Sequence, residues 1–466
     1  MRLLSYPTFS VGLLFYYCCT IFSQTPEITS RRPYEDLAHQ IITKGLPQGK
    51  AYEVLYELTS KIGHRLSGSP QAAKAVEWAK RTMESFGFQN VRLEPVTVPR
   101  WVRGPVEEAM IVNSPSIGTR SLKICALGGS IATPEEGITT DVLEVQSFEE
   151  LQTMGDRAKG KIIFFNRPMD RSNINPFESY GGAVNQRGSG AIEAAKAGGV
   201  AALVRSMTMR QDDVPHTGAM HYNDIIPKVP VAAISTVGAK LLTDLIQKEK
   251  NVKVKLRLTC QSLPDVESAN VIGELVGSEK PNEVVLIGGH LDSWDKGQGA
   301  HDDGAGCVHA IEALRLLKEL GLIPKRTIRA VMFMNEENGL RGAKAYAAKR
   351  RPGEKHIVAI ESDAGGFSPR GFGVQADSQI VEKVARWSYL FDSIDADRIS
   401  RGGGGADISE LGKQGVPMIG LRVDPHKYFD YHHSDNDTFD KVNERELELG
   451  AVSLAILCYV IAQEGL

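Results

Sequence analysis

The sequence predicts an α/β protein, a mixed and largely parallel sheet flanked by helices, on three observations. Short apolar runs of strand length recur along the chain, helical apolar spacing follows several of them, and clusters of His, Asp and Glu stand directly after the runs. Residues 284–289 illustrate all three. They are too few for a helix, the stretch from Gly304 to Leu320 then places Val308, Ile311, Leu314 and Leu317 at helical spacing, and His290 and Asp292 stand at the strand end.

From the N-terminus, Arg2 precedes an apolar stretch at residues 9–22 and then polar Ser23-Gln24. This reads as a signal peptide over residues 1–23, too short and too N-terminal to favour a spanning helix, with an uncleaved anchor as the alternative, and no later segment is read as apolar enough to cross a bilayer. Residues 24–49 are polar with little periodicity and read as a flexible arm. Residues 51–62 and 71–86 carry amphipathic helical patterns, and 91–98 a strand pattern. Over residues 121–264, strands at 162–165, 201–204 and 229–234 alternate with helices at 148–159, 190–197 and 237–247, a small α/β module of its own. Its polar loop with His216, Gly218 and His221 is expected to reach toward a cleft or a partner, not to bind metal. Strands at 284–289, 327–334, 356–360 and 416–423 follow.

Each of these last four strands runs into a polar cluster: His290-Leu-Asp292 with Asp302-Asp303, then Asn335-Glu336-Glu337, Glu361-Ser362-Asp363, and His432-His433-Ser434. Ligands of open α/β sheets collect outside the carboxyl ends of the strands, so the four clusters should converge. Asp302 and Asp303 are also expected to cap the following helix. Two His and several carboxylates without nearby Cys suit a hydrolytic zinc site rather than a structural one, with room for two ions. With Asp302 bridging, His290 and Asp363 complete one ion position, and Glu337 and His433 the other. Glu336 is then free to move a proton from a metal-bound water to a leaving amine. Asp292 would orient the His290 imidazole.

Composition sets the remaining bounds. At 466 residues two folded domains are expected. A net charge of −3 with both signs interspersed gives no footprint for nucleic acid. Cys18 and Cys19 fall in the signal stretch; Cys125, Cys260, Cys307 and Cys458 are no disulfide scaffold, with a Cys125–Cys260 bridge left open. Asn436-Asp437-Thr438 is an acceptor sequence for N-glycosylation. The glycine run 402–405 lacks the spacing of a nucleotide loop; it is read as a tight backbone path that either brings Asp407 near a substrate ammonium or uses it to hold a turn. Tyr428, Phe429 and Tyr431 either wall a side-chain pocket or pack the core.

His290-x-Asp292, Asp302-Asp303-Gly304, Glu336-Glu337, Glu361-Ser362-Asp363-Ala-Gly and His433-Ser434 resemble, in order, the metal motifs of the co-catalytic di-zinc exopeptidases, a family that includes bacterial leucyl aminopeptidases. The strings from Gly288 to Ala300 and from Tyr428 to Ser434 look like a secreted or lysosomal dipeptidase branch of it, and the resemblance runs from about Tyr52 to the C-terminus. It implies the zinc exopeptidase fold, two Zn2+ ions per chain, and the ligands His290, Asp302, Glu337, Asp363 and His433, with Asp302 rather than Asp303 as bridge and His433 rather than His432 as last ligand. It further implies a propeptide within 24–49, hence a zymogen, and a catalytic domain in two parts, 50–120 and 265–466, interrupted by a protease-associated-like module at 121–264. A homodimer acting on short peptides, with no stable membrane insertion after signal cleavage, completes what it implies. His301 departs from the pattern, which has an uncharged residue there, and is expected to shift the pKa of the metal-bound water. Two other functions are open to this fold: a single-zinc, glutaminyl cyclase-like acyl transferase, and a non-catalytic, receptor-like ectodomain. Five ligands together with Glu336 favour hydrolysis of dipeptides and very short peptides by a metal-bound hydroxide, with Glu336 as general base.

Overall fold

The computed structural model describes residues 32–466; the signal-peptide reading of residues 1–23 lies outside them. Two eight-stranded sheets organise the chain. The larger contains β1 (Gln89–Val102), β2 (Gln261–Leu275), β3 (Lys280–His290), β4 (Arg326–Phe333), β5 (Lys355–Glu361), β6 (Pro369–Gln375), β7 (Arg398–Arg401) and β8 (Met418–Val423), in the order β1-β2-β4-β3-β5-β8-β6-β7. β4, β3, β5 and β8 run parallel, as expected from their uninterrupted apolar sequences. Their side chains bury alternately on two faces. Val285 and Ile287 pack with the helices Ala305–Glu319 and Glu444–Glu464, while Leu286 packs with Tyr346 and Leu411 on the other side. The chain goes from β3 to β4 on one side and then to β5 on the other, which opens a crevice at the carboxyl end of β3.

β1 and β2 pair antiparallel along most of their length, and through them the chain leaves for the second sheet and returns. That sheet has a parallel centre of Ile138–Val145, Ile162–Phe165, Ala201–Arg205 and Val231–Ile234. Its outer strands begin at Glu107, upstream of Ser121. The expected boundary falls late because residues 107–114 pair with Lys253–Leu258, a partner more than a hundred residues away that no local pattern announces.

Three expectations need correction. Residues 35–48 are not a flexible arm: Glu35–Gln48 is a helix that buries Ala38, Ile41 and Gly45. Gly45 allows the close approach, since a β-carbon there would lie 2.4 Å from Val452. Second, Glu444–Glu464 is long and apolar enough to cross a membrane by length and composition, but 78% of its apolar window is buried in the fold, much of it against Ala305–Glu319. Its hydrophobicity serves a helix enclosed by neighbours on nearly every side. Finally, Cys125 and Cys260 are both buried free thiols, so the open bridge is not formed.

A candidate metal centre

His290 is the last residue of β3. Its Nδ1 donates to the carbonyl of Asp292 at 2.9 Å, which turns Nε2 toward Asp302 Oδ1 at 3.2 Å and Asp363 Oδ1 at 3.6 Å. The neighbouring aspartates then part company. Asp303 turns inward, accepting the amides of His290 at 3.1 Å and Gly306 at 2.9 Å, and so caps the helix that follows. Asp302 faces the crevice instead, its own amide held by Asp437 at 3.1 Å. From the loop after β8, His433 brings Nε2 to 3.2 Å from Asp302 Oδ2 and 3.1 Å from Glu337 Oε2, while Glu337 Oε1 accepts the amide of Trp294 at 3.1 Å.

Two groups capable of holding a cation result, His290 with Asp302 and Asp363, and Asp302 with His432 and His433, the latter extended by Glu337. Asp302 belongs to both. Its Oδ2 is buried without a hydrogen-bond partner and faces two imidazoles, so the donor set of nitrogens and carboxylate oxygens fits zinc. Asp302, Glu336, Glu337, Asp363 and His433 line a cavity of about 250 Å³, with His290 behind it. His432, not counted as a ligand from the sequence, stacks on His433 at 3.5 Å and lies 3.7 Å from Asp302 Oδ2. Asp292 meets the imidazole of His290 through its backbone. The imidazole of His290 donates to its carbonyl, and the carboxylate accepts the amides of Asn335 at 2.7 Å and Glu336 at 3.0 Å, fixing the turn that carries Glu336 and Glu337.

Crowding of buried acid governs the electrostatics. Burial, reinforced by Asp363 and Glu337, pushes the Glu336 carboxyl well above the usual range; burial and Asp302 take Glu337 up to about 7. Asp302 goes the other way. Burial opposes its charge, but the neighbouring imidazoles of His290 and His433 outweigh it and hold the carboxyl well below the ordinary value. His433 rises to about 9, its neighbours Glu337 and Asp302 overcoming burial. Divalent cations among these carboxylates would favour the charged forms throughout.

His301 does not enter the cavity. Its ring packs in a cluster with Phe367 at 4.2 Å and Tyr431 at 5.2 Å, and burial lowers its pKa to about 4. Asp407 is buried but does not line the cavity, whereas Tyr428 and Phe429 do. The module loop reaches the site: Thr217 donates its amide to the carbonyl of His433 at 2.8 Å, and His216 Nδ1 lies 2.7 Å from that of His432. The Asn436 amide donates to Asp212 at 3.2 Å. Sequence reasoning missed Arg65, Asp437, Tyr180 and Arg187. Arg65 is fully buried and donates to the carbonyls of Leu291, Gln298 and Gly299 at 2.6–2.8 Å, tying down the loop between His290 and Asp302. Its only signal was an arginine within the polar segment His64–Ser69.

The model of peptidase family M28 matches residues 270–456. Carboxypeptidase Q of Bos taurus is 39% identical over 436 residues, covering 92% of this chain and 89% of the relative; the Homo sapiens protein is 38% identical over 434 residues with the same coverage. Among solved structures, a peptidase M28 precursor from Shewanella amazonensis superimposes with a TM-score of 0.87 at 36% identity, covering 93% of this chain and 97% of that one. A zinc aminopeptidase from Bacillus subtilis shares the fold, with a TM-score of 0.65 at 21% identity over 89% and 95% of the two chains.

Arg65→Met keeps bulk but removes the side-chain donors to the ligand loop, leaving the carbonyls of Leu291 and Gln298 unpaired. The expected destabilisation is about 3 kcal/mol, read as a lower urea midpoint at unchanged slope. A loss below about 1 kcal/mol would mean that the loop is fixed by other contacts.

Proposed function

This chain belongs to peptidase family M28 and is a zinc-dependent exopeptidase of the carboxypeptidase Q kind, and from that premise we propose that it hydrolyses dipeptides and very short peptides with two zinc ions. The observation that carries the two-ion reading is the position of Asp302, the one carboxylate common to both ligand groups. Substrate length is supported by the size of the cavity, about 250 Å³, and by the module, whose Tyr180 and Arg187 form part of its wall. The single-zinc acyl transferase and the ligand-free receptor-like reading are disfavoured by the same count, since five ligands and Glu336 are all present. A secreted or lysosomal setting, a propeptide within residues 24–49 and a homodimer belong to the reading through the apolar stretch at 9–22 and the family resemblance.

Bound zinc would supply a Lewis acid for the scissile carbonyl and lower the pKa of a water. Glu336 moves the proton. Its carboxylate lines the cavity, 4.0 Å from His290 Nε2, on a turn fixed by Asp292, and no cation position requires it. It accepts a proton from the attacking water and delivers it to the departing amine. Phe177, Tyr428 and Phe429 pack together as an aromatic wall of the cavity.

Glu336→Gln is expected to lower turnover by about two to four orders of magnitude with zinc retained; near-normal turnover at full zinc content would remove the proton role. Asp302→Ala is expected to lower zinc content itself, measured by elemental analysis. Two zincs retained per chain would pass the bridge to another group. Unblocked dipeptides should be cleaved fastest in a substrate panel, with N-acetylated dipeptides and longer peptides much slower. Trimming of decapeptides at the dipeptide rate would overturn the closed cleft and leave the zinc chemistry standing.

A further inference from the structure

A second cavity, of about 570 Å³, adjoins the metal centre and shares no wall residue with it. The helical turn Tyr428–Tyr431 is the partition: Tyr428 and Phe429 line the metal cavity, Lys427 and Tyr431 the other. The reaction derived above makes no use of this space, whose size is within the range of about 300–1,000 Å³ usual for small-molecule sites. One wall is aromatic. Phe367 and Tyr431 lie 6.2 Å apart with rings inclined by only 17°, and both stack on His301. Charges of both signs surround them, and they are unequally engaged. Lys441 pairs with Asp440, Glu446 accepts the Ser368 hydroxyl at 2.8 Å, and Asp424 accepts the His426 amide at 3.1 Å and lies 3.6 Å from Arg370. The Lys427 ammonium has neither a hydrogen bond nor an ion pair among the described residues, although Asp430 feels its charge. An unanswered cation, carboxylates with oxygens to spare and an aromatic face, gathered in one cavity, match a small zwitterion with an apolar side chain.

We propose that this cavity binds a free α-amino acid, its carboxylate on Lys427, its ammonium toward Asp424 and Glu446, and its side chain against Phe367 and Tyr431. Free amino acids are what an exopeptidase releases, so the inference rests on that reading for the source of the ligand. An occupant in contact with Lys427 and Tyr431 braces both ends of the turn that walls the metal cavity, two residues before His433. Product bound there acts on turnover from behind the wall, where substrate does not compete with it.

The test uses the zinc-loaded full chain with its metal cavity saturated by a reduced-bond dipeptide, titrated calorimetrically with L-leucine, L-phenylalanine and their amides. One amino acid per chain should bind. The amides, which lack the carboxylate, and the variant Lys427→Met with the free acids should each bind at least about ten-fold more weakly. Lys427→Arg should recover part of the loss. In steady-state assays the free amino acid should inhibit wild type with a component that rising dipeptide concentration does not relieve. Lys427→Met should lose that component while its uninhibited turnover stays close to wild type. Absence of binding once the metal cavity is filled, or equal affinity in wild type and Lys427→Met, would overturn the proposal. Inhibition relieved entirely by substrate would overturn the action on turnover. Lys427-dependent binding in a chain that cleaves no dipeptide would keep the site and remove the exopeptidase reading.

Discussion

Buried negative charge is the constraint around which the structure is arranged. Asp302, Glu336, Glu337 and Asp363 share one small cavity, and isolated carboxylates in such a place would neutralise. The fold counters with fixed donors. Backbone amides, held where they are by the strand ends, orient the acids that orient the ligands: Asp292 takes those of Asn335 and Glu336, Asp437 those of His301 and Asp302, and Asp303 those of His290 and Gly306. Each carboxylate with two amide partners is a strut. Those facing the cavity are left with oxygens for a cation.

The loop between β3 and its following helix ties the two domains into one site. It carries Asp302, and it also carries Trp294, whose indole packs into the core of the module against Gly128, where a β-carbon would lie 1.8 Å from the ring. The next residue, Asp295, pairs with Arg103 at 2.9 Å, just past the end of β1. The module therefore docks onto the same segment that positions the bridging aspartate. It repays this by holding the His432–Ser434 loop through His216 and Thr217. Displacing the module would disturb ligands on both sides of the cavity at once.

The parallel strands were legible because burial on both faces makes them uninterrupted apolar runs, and the ligands were legible because strand ends must open onto the crevice. The observed β-strand Ile162–Phe165 and helix Pro70–Ser85 lie within a residue of expectation for the same reason. What stayed hidden depends on contacts distant in sequence. The strand at Glu107–Ser114 pairs locally with Gly118–Leu122, but its place in the module's sheet is set by a partner beyond Asn251, and the helix Glu35–Gln48 is set by a C-terminal helix whose groove accepts Gly45. Arg187 and Arg65 look in sequence like ordinary solvated arginines. Only burial among carbonyls or beside a cavity gives them a role.

Burial also decides among imidazoles that the sequence presents side by side. His432 and His433 are adjacent and stacked, yet His433 alone has two carboxylate oxygens within 3.2 Å, and its pKa rises while that of His432 is driven well below the ordinary value by burial and by His433 itself. The backbone at His433 is left-handed, φ 60°. His301 shows the converse. It stands next to the bridging aspartate in sequence, but its ring is taken up by Phe367 and Tyr431, so its departure from the family pattern is absorbed as packing. Being next to a ligand in sequence places a residue's backbone beside the site; which way the side chain leaves that backbone is set by what surrounds it.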